Sequence, residues 1–444
     1  MSSVLERRGA AAPAWSVNKT RLLVAGIVAL AAVVGFWVWY AQRHPLGYTL
    51  YPVDLRVYRD GGLIVRHISP PYDGKLANPL YDWPLNNQSL KFTYTPFAAL
   101  FFAAVSYVPW SILPRLSQLV NLVALLAATW CTMSALGYRD RRVLAGGAML
   151  GAAAGLLTEP VFRTMYLGQI NLVLMALIIW DLCQPDTLLN SGKSRWWKGF
   201  GTGIAAGIKL VPLVFIPYLL LARKFRQAAM TCAGFAFTVL LGFVILPGDS
   251  AKWWFHGLFF QGGRTGFTGW AGNQSLDGLI TRLTGSVNGA RPAWIAAAIV
   301  VGAVGVTAAA LLDRKGYPLP GLLMAALTGL LVSPISWDHH WVWIAPGALV
   351  AAHYAVQAWR RAAKRTAWAL GILAAGIVAW FGAWPARLFT AKLNLGNDSL
   401  GLLWIPRNTN PVYYQWYGDK RWFTEYHWHG LALIAGNAYA LAGL

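Results

Sequence analysis

Apolar runs of about the twenty residues that carry an α-helix across a bilayer recur from one end of this chain to the other. Of 444 residues, 57% are hydrophobic and 12% charged, so charge is scarce for a chain of this length. The runs predict an all-α fold, a polytopic transmembrane helical bundle of about ten to twelve crossings with long outer loops that carry juxtamembrane helices. A formal charge of +21 invites a nucleic-acid reading. A nucleic-acid binder gathers its cations on a soluble face, whereas many of these sit in short clusters between apolar runs, as cytoplasmic loops do. The expected partner is therefore the lipid bilayer and not nucleic acid. Cys131, Cys183 and Cys232 fall inside or at the end of apolar runs, which argues against a metal site or a disulfide framework.

Taken in order, residues 1–21 set Glu6 against Arg7, Arg8, Lys19 and Arg21 and read as a cytoplasmic tail. No small-residue cleavage site follows the run 22–40, so it reads as a retained first helix that ends in an aromatic cluster, Trp37, Trp39 and Tyr40. Residues 42–91 are then a long outer loop. If 92–112 and 116–136 both crossed, Arg139, Arg141 and Arg142 would lie outside and Gly168-Gln169-Ile170-Asn171 inside. One full crossing plus one juxtamembrane or re-entrant segment, broken by Pro96, Pro109 and Pro114, avoids that. The stretch 199–222 has cationic clusters at both ends and must enter and turn back, or cross an even number of times. A break at Gly-Ile-Lys-Leu-Val-Pro would set Lys209 in a cavity; the plainer alternative is a lysine that snorkels from an ordinary helix. A second outer segment covers 247–291, a short one holds 333–341, and a long one covers 387–427. The chain divides into the tail, a membrane catalytic module over 22–360 and a region 361–444 assigned to the acceptor side. No internal repeat is evident, which counts against an inverted-repeat transporter.

The outer segments collect Asp54, Asp60, Asp73, Asp82, Arg163, Gln169, Asn171, Asn273, Gln274, Asp338, His339 and His340, while the inner loops are short and basic. A transporter would need polar groups on both sides. An enzyme on the outer face has no nucleotide pool and must draw on a lipid-linked donor, and no G-x-x-x-x-G-K-[ST] phosphate loop occurs. A lipid-phosphate sugar donor requires a carboxylate to take the acceptor's proton, cations or donors to stabilise the leaving phosphate, and aromatic and amide groups to hold sugar rings.

In this order the segments Asp54-Leu-Arg-Val-Tyr58, Phe92-Thr-Tyr-Thr-Pro96, Gly168-Gln-Ile-Asn171, Lys209-x-x-Pro212, Gly272-Asn-Gln-Ser275 and Ser333-Pro-Ile-Ser-Trp-Asp-His-His340 resemble the GT-C glycosyltransferases. The likeness is to the actinobacterial α-1,2-mannosyltransferases of phosphatidylinositol mannoside and lipomannan biosynthesis, which use polyprenyl-phosphate-mannose. It implies a multi-pass plasma-membrane enzyme with an outward-facing site, a glycolipid acceptor, and inversion from a β-linked donor to an α-linked product. It also implies Asp54 as the catalytic carboxylate, with Asp60 its competitor. Lys209, Arg163 and one of His339 and His340 are expected at the donor phosphate. Tyr58, Asp60, Gln169, Asn171, Asn273, Gln274 and Trp337 are expected at sugar and acceptor, although each amide reads equally as a cap or loop hydrogen bond. Adjacent histidines point apart and no D-x-D pair occurs in the first loop, so no metal or other cofactor is expected. An arabinofuranosyltransferase using decaprenyl-phosphate-arabinose is the nearest alternative, since donor sugar identity depends on pocket shape.

Overall fold

The computed structural model describes residues 18–43, 52–66, 79–82, 84–85, 90–185, 195–266, 268–269, 272–382 and 437–444. Most of the tail, Asp73 and the segment 387–427 lie outside the described residues. Helices make up nearly all of what is described, beside a two-strand hairpin in which Pro84–Leu85 pairs with Leu90–Lys91.

The first six helices are α1 Lys19–Arg43, α2 Val53–Val65, α3 Pro79–Asp82, α4 Pro96–Val105, α5 Leu113–Ala135 and α6 Arg141–Leu156. α7 Glu159–Leu167, α8 Asn171–Cys183, α9 Phe200–Ile208, α10 Phe215–Leu221, α11 Phe225–Ile245 and α12 Pro247–Trp254 follow. The rest are α13 Leu276–Thr284, α14 Val287–Arg314, α15 Pro318–Val332, α16 Ile344–Arg360, α17 Lys364–Trp380 and α18 Ala438–Gly443. By length and apolarity α1, α5, α11 and α14 are each sufficient to cross a membrane, and the pair α7 and α8, bent by 118°, adds a fifth if it counts as one span. The expected ten to twelve crossings must therefore include helices of 13–17 residues such as α8, α15, α16 and α17.

Local chemistry explains where these helices begin and break. Asp140 accepts from the backbone of Arg142 and Val143 to start α6, and its other carboxylate oxygen pairs with Lys19 at 2.6 Å, which ties the starts of α1 and α6 together. Thr95 caps α4 in the same way, ahead of Pro96. α4 is ten residues long and α5 twenty-three, one short helix and one full span in the region of Pro96, Pro109 and Pro114. α9 stops at Ile208; Lys209 is extended, with φ −132° and ψ 131°, and residues 211–214 form a single 3-10 turn before α10. Pro212 has no N–H to continue an α-helical ladder, so the interruption falls where the sequence predicts it.

Two of these contacts position the site. α2 lies on α4 with Gly62 at the crossing, where a Cβ would stand 2.3 Å from the carbonyl oxygen of Phe102. Asp60 and the two glycines after it are thus helix interior and not a turn. Gly168 closes α7 at φ +71°, a left-handed conformation that suits glycine, and a Cβ there would reach Leu55 at 2.6 Å. The same turn reverses the chain into α8 and sets Gln169 against Tyr58 of α2.

Candidate active site

Asp54 is in the first turn of α2, where the positive end of the helix dipole favours a carboxylate, and it is half-buried. Tyr58, one turn on and on the same face, is 1% exposed. Its hydroxyl donates to Gln169 Oε1 at 2.5 Å and meets the Tyr94 hydroxyl at 3.1 Å. Asp54 is near enough to Tyr58, Tyr94 and Lys209 for its charge to act on all three. Burial first, and that charge second or third, push both phenols well above their usual ionisation range, so they serve as hydrogen-bonding hydroxyls.

Lys209 reaches this space from the break between α9 and α10. Its ammonium donates to Asn171 Oδ1 at 2.7 Å and Gln169 Oε1 at 3.2 Å, and lies 3.2 Å from His340 Nε2. With Lys209 as an ammonium, which has no lone pair, His340 accepts through Nε2 in the tautomer that carries its proton on Nδ1. The expected cavity-facing lysine is what the geometry shows, in place of a snorkelling one.

The turn that presents His340, residues 338–343, is held from behind. Arg163 Nε donates to Asp338 Oδ2 at 3.1 Å, and Asp338 Oδ1 meets His339 Nδ1 at 2.9 Å. Burial alone would raise the Asp338 carboxyl, but Arg163 and His339 outweigh it and hold the group below the usual carboxylate range. The His339 carbonyl accepts from Thr164 at 2.9 Å and Asn171 at 2.8 Å. The two imidazoles stand at 88° to each other. His340 therefore faces Lys209 while His339 and Arg163 brace the turn.

Other expected site residues sit elsewhere. Asn273 and Gln274 are wholly buried. Asn273 accepts from Ser336 N at 2.9 Å and donates to the carbonyls of Thr268 and Pro334, while the Gln274 backbone N–H donates to Ser336 O at 2.7 Å. The Asn273 side chain thereby shapes the 333–341 loop, whereas the Gln274 side chain accepts from the backbone of Tyr439 and Ala440. Trp337, half-buried, lies over Gly272 in the same loop. Asp60 has Arg56 and Arg59 as its charged neighbours, and burial pushes its carboxyl up from the usual range. Tyr94 and Thr164 belong to the cluster although the sequence did not single them out. Tyr94 had a signal, the aromatic inside Phe92-Thr-Tyr-Thr-Pro96; Thr164 had none.

Lys209, Asn171 and His340 form the polar end of a partly open cleft with a cavity volume of ≈ 50 Å³. The remainder is apolar: Leu174, Met175 and Ile178 of α8, then Val211, Pro212, Val214 and Phe215, Ala326 and Leu330 of α15, and Val342 with Trp343. Along α8 the lining runs from Asn171 to Ile178, about 10 Å into the bundle at 1.5 Å per residue. Among the described residues no three His, Cys, Asp or Glu side chains are grouped to hold a metal ion.

Residues 92–334, more than half of the chain, match the model of Glycosyltransferase family 87. A polyprenol-phosphate-mannose-dependent alpha-(1-2)-phosphatidylinositol pentamannoside mannosyltransferase of Mycobacterium tuberculosis is 34% identical over 323 residues, 72% of this chain and 70% of its own length. A polyprenol-phosphate-mannose-dependent alpha-(1-2)-phosphatidylinositol mannoside mannosyltransferase of the same species is 32% identical over 339 residues, 74% and 76% of the two chains. A protein of the latter name from Mycolicibacterium smegmatis is 33% identical over 362 residues, 77% of each. No solved structure matches the chain.

Proposed function

Because the chain belongs to Glycosyltransferase family 87, we propose that it moves mannose from polyprenyl-phosphate-mannose to a mannosyl hydroxyl of a phosphatidylinositol mannoside or lipomannan, with inversion to an α-1,2 linkage. The observation that carries this reading is a cleft that is cationic at one end and apolar along its length, with a half-buried carboxylate beside the cationic end. A lipid-phosphate sugar has the same division: an anionic phosphate beside a long hydrocarbon chain. The phosphate is assigned to Lys209 and His340 and the first isoprene units to the apolar lining of α8 and the 211–215 stretch. The acceptor hydroxyl gives its proton to Asp54 as its oxygen bonds to the sugar's anomeric carbon. The bond from that carbon to the phosphate oxygen breaks, and its electron pair leaves with the phosphate towards Lys209.

The test is transfer by the purified protein in detergent from each polyprenyl-phosphate sugar to phosphatidylinositol mannoside and lipomannan acceptors. Mannose transfer that persists under strong chelation is expected; turnover with arabinose donor only, or with none, overturns the reading.

An outward-facing site is part of the same proposal. The basic clusters Arg223-Lys224-Arg226, Arg314-Lys315 and Arg360-Arg361 follow helices that lead away from site segments, and such clusters favour the cytoplasmic side. In a background without Cys131, Cys183 and Cys232, His256→Cys is expected to react with a membrane-impermeant maleimide in intact cells and Lys315→Cys only after lysis. The reverse pattern would put the site inside.

A further inference from the structure

Behind the 338–343 turn, the segment 437–444 is built into the protein through several independent contacts. Arg282 donates to Asn437 Oδ1 through Nε at 3.0 Å and Nη2 at 2.5 Å. Gln274 Oε1 accepts from Tyr439 N at 3.0 Å and Ala440 N at 3.3 Å, and Trp380 Nε1 donates to Ala438 O at 3.1 Å. The Tyr439 ring, 1% exposed, lies 4.2 Å from that of Phe381 and 6.0 Å from that of Trp341, both by ring centroid. Its hydroxyl donates to Glu159 Oε2.

That hydroxyl stands at one end of a chain of charges. Glu159 and Asp338 both act on the Arg163 guanidinium, and Arg163 makes its direct bond with Asp338. Asp338 in turn fixes the His339 ring, and the next residue is the His340 that faces Lys209. Two carboxylates thus compete for one guanidinium, Glu159 one turn earlier on α7 and Asp338 in direct contact. A carboxylate that accepts a phenolic hydrogen bond carries less uncompensated charge and attracts the guanidinium less. We propose that Tyr439 is a positioning residue, which satisfies Glu159 so that Arg163 stays on Asp338 and the 338–340 turn keeps His340 against Lys209. Gln274 is then explained as the group that seats Tyr439, a role 165 positions away in sequence. Neither Tyr439 nor Asp338 lies in the stretch 92–334 that matches the family.

The inference rests on the transfer reaction proposed above, and its test separates the two. Wild type, Tyr439→Phe and the double variant Tyr439→Phe with Glu159→Gln are assayed for mannose transfer in parallel, with thermal melting in detergent recorded for each. Tyr439→Phe keeps the ring and removes the hydroxyl. The expected result is a kcat about tenfold below wild type with donor KM within about twofold, and recovery of most of that loss in the double variant, as coupled neighbours show. Adding Glu159→Gln removes the competing charge, so a purely structural tyrosine would give no recovery. Unchanged kcat in Tyr439→Phe, a loss that the second substitution does not restore, or loss of folded protein in both variants overturns the proposal. Absence of turnover in wild type would instead overturn the transfer reading itself.

Discussion

Asp54→Asn is expected to leave a folded, membrane-inserted protein whose kcat for mannosyl transfer is lower by about 10²- to 10⁴-fold, the span that a positioned general base contributes. The substitution is isosteric and keeps a hydrogen-bonding oxygen near Tyr58 and Tyr94, so donor KM should hardly move. What it removes is the group that accepts the acceptor's proton as the new glycosidic bond forms. The control is Asp60→Asn. Asp60 is six residues further along α2, with Arg56 and Arg59 as its charged neighbours, whereas Asp54 acts on Tyr58, Tyr94 and Lys209. Asp60→Asn should therefore stay within about threefold of wild type, as a change outside the reacting groups does. Initial rates for the two variants at saturating donor decide between the carboxylates. A near-normal Asp54→Asn, or an Asp60→Asn that fails while Asp54→Asn works, would remove Asp54 from the reaction.

The parts of this site that were legible in sequence are those set by local rules. A lysine and a proline three residues apart inside an apolar stretch with basic ends announce a broken helix, and Lys209 sits at that break. Gly168 before Gln169-Ile170-Asn171 marks a turn, and both amides meet the Lys209 ammonium. Other parts depend on long-range packing that no local pattern encodes. Asn273 and Gln274 look like sugar ligands in a polar outer segment, yet their partners are backbone groups of a loop about sixty residues on and a helix about 165 residues on. Sequence separates His339 from His340 no better, because the difference arises from Arg163 and Asp338 seizing one ring. Tyr439 was silent altogether. Its role depends on Glu159, which is buried at the start of α7, 280 residues earlier.

Lys209→Met should lower kcat/KM for the lipid-linked donor by about 10²- to 10³-fold, the scale of losing one charge-stabilising donor at a leaving group. Methionine fills similar volume and suits the apolar lining of Leu174, Val211 and Trp343, so folding should survive. The chemistry would not. Without the ammonium, Asn171 and Gln169 lose their shared donor, and His340 Nε2 loses the donor from which it accepts. Lys209→Arg should recover little, because a planar guanidinium cannot reproduce a compact ammonium that meets Asn171, Gln169 and His340 at 2.7 to 3.2 Å. Rates alone do not tell phosphate binding from indirect damage, so the deciding measurement is inhibition by polyprenyl phosphate, the product that leaves. If Lys209 holds the phosphate, this product should inhibit wild type competitively against the donor and Lys209→Met far more weakly, while inhibition by the bare polyprenol, which has only the apolar part of the cleft to bind, should be alike in both. Equal inhibition of the two proteins by polyprenyl phosphate would move the phosphate away from Lys209 and leave the cleft with its apolar half only.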